Sequence, residues 1–274
     1  MKKSNTVKTI IALAISLLSI NSFAQSLYVK LNAGYNWGIA SNINGSNSSQ
    51  TGTVTTNEKV NISFGKGVNI CGAVGYMFNK NIGAELGINY LIGGTTENSI
   101  KSSSNSSLNN YSSTLLNFIP AIIITPGFEK INPYAKVGFS LGMATMTVKS
   151  ENSSTFGSTT STTNQTSLLN GGFAIGLISA LGVTYEVNEK MCVFGELNIS
   201  TLSYSPTKSE ITEYKQDGID RISTLKTRDK VMEYTDSYTT DNSVPTDNNV
   251  SRKSTPINIP FSSLGVNIGV KFSF

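Results

Sequence analysis

The chain has 274 residues, 38% of them hydrophobic and 14% charged, with no histidine and two cysteines. Lys2, Lys3 and Lys8 supply three of the four units of net positive charge, so residues 25–274 are close to neutral and offer no basic surface for nucleic acid. Without histidine the chain lacks His-dependent triads and any zinc-ligand spacing, and no cofactor or metal is implied.

Read in chain order, the first element is an export signal. A basic start is followed by an apolar run, Ile10 to Ile20, broken only by Ser16 and Ser19. Ser22-Phe23-Ala24 then ends in a small residue before Gln25. Charge, short apolar core and small residue predict a cleaved signal peptide over 1–24, leaving 25–274 as one all-β domain. No later stretch holds 18 consecutive apolar residues, which excludes helical membrane spans.

Eight segments with period-two alternation follow. In the first, Leu27, Val29, Leu31, Ala33, Tyr35 and Trp37 share one face, with Tyr28, Lys30, Asn32, Gly34 and Asn36 on the other. The second sets Val68, Ile70, Val74, Tyr76 and Phe78 against Asn69, Cys71, Ala73, Gly75 and Met77, and the third sets Ile82 to Tyr90 against Gly83, Glu85, Gly87 and Asn89. The fourth, Leu116 to Phe128, is apolar on both faces and carries Pro120 and Pro126, so its register is open. The fifth alternates Val137 to Met143 with Lys136, Gly138, Ser140 and Gly142; the sixth alternates Phe173 to Tyr185 with Ala174, Gly176, Ala180, Gly182 and Thr184. The seventh sets Val193, Leu197 and Ile199 against Phe194, Glu196, Asn198 and Ser200. The eighth sets Leu264, Val266, Ile268, Val270, Phe272 and Phe274 against Gly265, Asn267, Gly269, Lys271 and Ser273.

One face is large and apolar, the other small and polar, as in a barrel whose outside meets lipid. A soluble sandwich would bury its apolar face against a second sheet. The connections decide between these readings. Asn79-Lys80-Asn81, Glu129 to Pro133 and Asn188-Glu189-Lys190 are short, whereas 39–62, 94–113, 150–167 and 205–257 are long. Short turns at one rim and long loops at the other predict an eight-stranded antiparallel up-and-down transmembrane β-barrel with both termini on the short-turn, periplasmic side. Aromatics near both rims, among them Tyr35, Trp37, Tyr90 and Phe118 at one and Tyr76, Phe78, Phe128, Tyr185 and Phe272 at the other, fit two interfacial girdles. A ten-stranded variant would require part of 205–257 to re-enter the membrane, and that stretch shows no clean alternation.

With these segments in place, the chain resembles small outer-membrane barrels of the OmpA/OmpX and opacity-protein (porin-family) type. The resemblance rests most on the ending Leu264-Gly-Val-Asn-Ile-Gly-Val-Lys-Phe-Ser-Phe274, and it implies that Val270, Phe272 and Phe274 form the signal read by the barrel-assembly machinery. A second element is the hairpin from Gly75 to Gly87, echoed by Thr184 to Lys190 and Gly195-Glu196-Leu197. The cleavage region Ser-Phe-Ala-Gln resembles that of Bacteroidetes exported proteins. No peptidoglycan-binding domain follows the barrel, so the wall-anchoring role of two-domain relatives does not carry over. Barrel lipases, acyl transferases and proteases use a catalytic histidine, so the resemblance implies a non-enzymatic protein with outer-membrane lipids around it.

The candidate site is a set of inward charges: Lys30, Glu85, Lys136, Glu196 and Lys271, expected in one layer a few residues above the short-turn rim. Isolated ions inside a narrow barrel must pair. The layer reads first as a structural network and second as a gate over a narrow channel for ions or small solutes. The stretches 41–57, 94–114 and 150–167 are Ser/Thr/Asn-rich: they are solvated and mobile or extend the hairpins as polar strands above the membrane, and they suit glycan or host-surface contact or act as spacers. Residues 205–257 hold seventeen of the thirty-eight charged residues and suit partner contact or disorder. Cys71 and Cys192 both point inward on separate strands and read as free thiols.

Overall fold

The computed structural model describes residues 26–39, 44–51, 54–61, 63–239 and 247–274. The leader assigned to 1–24 lies outside them. Eight long antiparallel strands close a ring: β1 (Ser26–Gly38), β2 (Gly67–Met77), β3 (Ile82–Gly93), β4 (Asn105–Ile124), β5 (Ile131–Phe156), β6 (Phe173–Asn188), β7 (Met191–Ser205) and β8 (Ser263–Ser273). Each pairs with the next in sequence, and β8 returns to β1 from Val29↔Phe272 to Trp37↔Leu264. Among the described residues the sheet counts seventeen strands rather than eight, because nine further strands grow from the long-connection rim.

The pleat turns the sequence alternation into an inside and an outside. On β1, Tyr28, Lys30, Asn32 and Asn36 are buried while Leu27, Leu31, Tyr35 and Trp37 are exposed. The same holds around the ring, with Phe139 at 64% and Ile268 at 70% exposure. A continuous belt of exposed Leu, Ile, Val and Phe is unfavourable in water and favourable against acyl chains. Aromatic pairs mark its borders, Tyr35 with Trp37 at 5.2 Å and Tyr76 with Phe78 at 5.6 Å, both edge-on.

The segment of open register resolves into Leu115, Ile119 and Ile123 facing in, with Leu116, Phe118, Ile122 and Ile124 facing out. Pro120 pairs across to Leu86 of β3, while the ladder to β5 skips Ile119 and Pro120, as a residue with no N–H requires. This strand ends at Ile124, earlier than Phe128. The turn that follows is also earlier than expected, since β5 begins at Ile131 and its Pro133 pairs with Val183. Asparagine shapes the other two short turns: Asn79 Oδ1 accepts the Asn81 and Ile82 amides, and Asn188 Oδ1 accepts those of Lys190 and Met191.

The long connections are largely strand. Asn44–Thr51 pairs with Val54–Asn61 and, in parallel, with Thr96–Lys101, which continues onto the upper half of β4. Beyond the upper half of β5 come Thr159–Asn170, Lys208–Gln216, Val231–Tyr234 and Arg252–Ser254. Within 41–57, 94–114 and 150–167 they realise the polar-strand alternative of the two expected for these stretches; polar residues occupy both faces over most of their length, so no apolar period is written into them. Residues 205–257 also hold the short helix α1 (Thr227–Lys230), which carries Arg228, Asp229 and Lys230.

A charge on the outer belt is expected to be costly where one on the outer sheet is not. Leu86→Arg lies mid-strand on the belt, and it should lower stability in liposomes by about 2–4 kcal/mol. Val54→Arg, on an exposed polar hairpin, should stay within about 0.5 kcal/mol. Urea unfolding of the lipid-embedded protein measures both.

Candidate functional site

Four of the five inward charges meet on the barrel axis. Lys30 Nζ lies 3.2 Å from Glu85 Oε2 and 3.7 Å from Glu196 Oε2. Lys136 Nζ lies 3.4 Å from Glu85 Oε1 and 3.1 Å from Glu196 Oε2. Each cation therefore sits between both carboxylates, all four side chains are buried, and the quartet sums to zero charge.

Two tyrosines complete it. Tyr28 donates its hydroxyl to Glu85 Oε2 at 3.2 Å, and Tyr134 donates to Glu196 Oε2 at 2.8 Å. Asn267 Nδ2 reaches Glu196 Oε1 at 3.5 Å, and the Lys30 ammonium stands 4.4 Å over the Phe194 ring and 4.9 Å over that of Tyr134. Charge-assisted hydrogen bonds of this kind offset desolvation that ion pairing alone does not cover.

Glycine makes room for both tyrosines. Tyr28 is the register partner of Gly75, and Gly75 the partner of Glu85. Tyr134 is the partner of Gly182, and Gly182 the partner of Glu196. A Cβ at Gly75 would stand 2.0 Å from the Tyr28 ring, and one at Gly182 would stand 2.4 Å from that of Tyr134. Each ring lies across a glycine to reach the carboxylate one strand further on. The arrangement occurs twice, on β1–β2–β3 and on β5–β6–β7, half a turn apart.

Lys271 does not join the layer. Although it is the register partner of Lys30, its ammonium sits 4.4 Å over the Tyr28 ring and has no carboxylate within ion-pair distance among the described residues. The expectation of a five-membered ring is corrected accordingly: two carboxylates between two ammoniums are saturated, and a fifth charge has no counterpart.

Above the quartet is a cavity of about 40 Å³ whose walls include Asn32, Asn36, Asn69, Asn117 and Asn198. Above that the lumen is closed by an apolar cluster of Phe64, Leu91, Leu115, Tyr204, Ile259 and Phe261. Tyr204 stacks edge-on against Phe261 at 5.9 Å and donates to the Gly171 carbonyl. Sequence reasoning missed this upper seal, because Phe64, Ile259 and Phe261 lie outside every alternating segment. It also missed Tyr134, which adjoined an expected turn, although its spacing from Lys136 repeats that of Tyr28 from Lys30.

Cys71 and Cys192 are free and half-buried. Val270, Phe272 and Phe274 lie on the outer face, with the Phe274 amide donating to the Leu27 carbonyl at 2.9 Å. On the outer sheet, Lys208 hydrogen-bonds Glu210 and holds its carboxyl below the usual range, while Lys230 lies 3.9 Å from the same residue.

A closed ring with a polar, filled interior and an apolar exterior defines an integral outer-membrane barrel. Residues 10–220 match the outer membrane protein beta-barrel domain, and the chain belongs to that family. The protein therefore resides in the cell outer membrane. Among solved structures the chain is similar to Ail, the attachment invasion locus protein of Yersinia pestis, at 10% identity and a TM-score of 0.32, over 91% of this chain and 97% of that one. It is also similar to CarO2 of Acinetobacter baumannii at 13% identity and a TM-score of 0.33, over 90% and 99%. No protein of curated function matches the chain.

Removing one charge should cost far more than removing all four. Glu85→Gln leaves two buried ammoniums on one carboxylate, and should destabilise the barrel by about 3–5 kcal/mol. Replacing the quartet together with its two tyrosine donors (Lys30→Met, Glu85→Leu, Lys136→Met, Glu196→Leu, Tyr28→Phe, Tyr134→Phe) should leave stability unchanged or raise it by about 1–4 kcal/mol. Urea midpoints of the refolded variants give the comparison.

Proposed function

We propose that the protein is an eight-stranded up-and-down transmembrane barrel with a closed lumen, non-enzymatic, acting through its extracellular sheet in contact with the environment or a host surface. The observation that carries this reading is the double closure of the lumen, by the Lys30–Glu85–Lys136–Glu196 quartet below and the Phe64–Tyr204–Phe261 cluster above. The ring of eight supplies the membrane span, and the nine remaining strands among the described residues stand beyond the long-connection rim. That rim faces outward and the short turns face the periplasm.

Outer-membrane lipids cover the apolar belt, and Val270, Phe272 and Phe274 on the last strand serve as the assembly signal. The extracellular strands present rows of Ser, Thr and Asn on an ordered ladder, which suits hydrogen bonding to glycans or to polar protein surfaces. The other reading, a narrow channel gated by re-pairing of the quartet, draws on the polar cavity between the seals. It requires both seals to move together, although one is ionic and the other apolar.

Planar-bilayer recording distinguishes the two, with heat-modifiable gel migration confirming closure. The refolded mature protein is expected to be electrically silent. Discrete conductance steps that shift in Glu85→Gln or Glu196→Gln would overturn the closed-lumen reading.

A further inference from the structure

Below the quartet, at the short-turn rim, the lumen opens into a vestibule of about 260 Å³. Its lining includes Lys30, Lys80 and Lys271 and no aspartate or glutamate. The quartet is already neutral, so the charges of Lys80 and Lys271 are uncompensated there. The Tyr28 ring, 4.4 Å from the Lys271 ammonium, fixes its position without neutralising it.

The two-fold repeat of the barrel shows that folding does not demand this lysine. Lys271 is the register partner of Lys30, and the residue in the same relation to Lys136 is Ile123. Ile123 is buried against the tyrosine layer, so an apolar side chain serves that position in the other half. Lys271 instead sets two like charges directly opposite each other on neighbouring strands, an arrangement that costs stability. Met77, Ile123 and Phe128 give the wall an apolar part, beside the neutral polar Asn79, Thr125, Asn132 and Thr184.

We propose that this vestibule is a binding site for a small organic anion with an apolar body, such as an aryl or short alkyl carboxylate, its charge held by Lys271 and its body lying against Met77, Ile123 and Phe128. Lys80, which also lines the vestibule, adds attraction for the anion. The volume sits just under the roughly 300–1,000 Å³ of drug-sized pockets, which fits a ligand of benzoate size. The site is independent of the extracellular sheet and of whether the lumen conducts.

Isothermal titration of the refolded full barrel in detergent with benzoate tests the assignment, with protein-free micelles as the blank. Heat-modifiable migration certifies that each variant has closed. Benzoate is expected to saturate a single site, and Lys271→Met, which keeps the stem and removes the charge, should weaken binding about tenfold or more. Lys271→Arg should retain affinity within a few-fold. Absence of saturable benzoate binding by the closed barrel, or undiminished binding by Lys271→Met, would overturn the site. Benzyl alcohol binding as tightly as benzoate would overturn the role of charge. Inorganic phosphate binding as tightly would overturn the role of the apolar wall.

Discussion

Four charges withdrawn from water into the centre of a narrow barrel have to neutralise one another, and this requirement reaches well beyond the site. A strand has period two, so a slip of one residue on β1, β3, β5 or β7 turns its charge from the lumen to the lipid. Such a slip costs the lipid exposure of an ion and also leaves its former partners unpaired inside. The apolar belt opposes the same one-residue slip but is indifferent to a slip of two residues, which preserves parity; the quartet is a register lock on alternate strands against both. Ionic pairing of this kind contributes less to net stability than to choosing one alignment among several near-equivalent ones.

The lock is built from two copies of one device. Tyr28-Val29-Lys30 on β1 matches Tyr134-Ala135-Lys136 on β5, Ala73-Val74-Gly75 on β2 matches Ala180-Leu181-Gly182 on β6, and Glu85-Leu86 on β3 matches Glu196-Leu197 on β7. Asparagine caps the turn that follows in each half, at Asn79 and Asn188. Four strands separate each pair of equivalents, so an eight-membered ring sets them across the axis from each other. That geometry is why each ammonium reaches both carboxylates rather than only the one in its own half. The halves diverge where the quartet imposes nothing, as at Ile123 and Lys271.

Much of this was legible in the residues, and the boundary of legibility has a physical cause. Apolar periodicity records which side of a strand meets lipid, so the inward placement of Lys30, Glu85, Lys136 and Glu196 could be read directly. It also placed Tyr28, Asn198 and Asn267 inside. Periodicity is silent where both faces carry the same kind of side chain. The apolar stretch around Pro120 gave no register because Ile119 and Ile123 pack inside while Phe118 and Ile122 face out. The strands Asn44–Thr51, Val54–Asn61 and Thr159–Asn170 could not be told from loops because Ser, Thr and Asn fill most positions on both faces. The fate of Lys271 was hidden for a different reason: parity gives the direction of a side chain but not its depth, and the long stem turns toward Tyr28 rather than into the layer.

The two seals also bear on where selection can act. The ionic layer fixes the alignment of the membrane strands, and the upper apolar cluster joins Leu91, Leu115 and Tyr204 of the ring to Phe64, Ile259 and Phe261 of the connections. Burying those side chains ties the outer sheet to the barrel mouth, so its polar strands need no apolar core of their own. From Val54–Asn61 through β4 and β5 to Arg252–Ser254, successive backbone ladders hold the sheet in one extended order. A ladder fixes the backbone while leaving the outward side chains free to vary. Side chains on a pre-ordered backbone lose less entropy on binding than the same residues in a flexible loop. A closed, register-locked barrel is therefore a suitable base for a surface whose composition can change residue by residue without disturbing what anchors it.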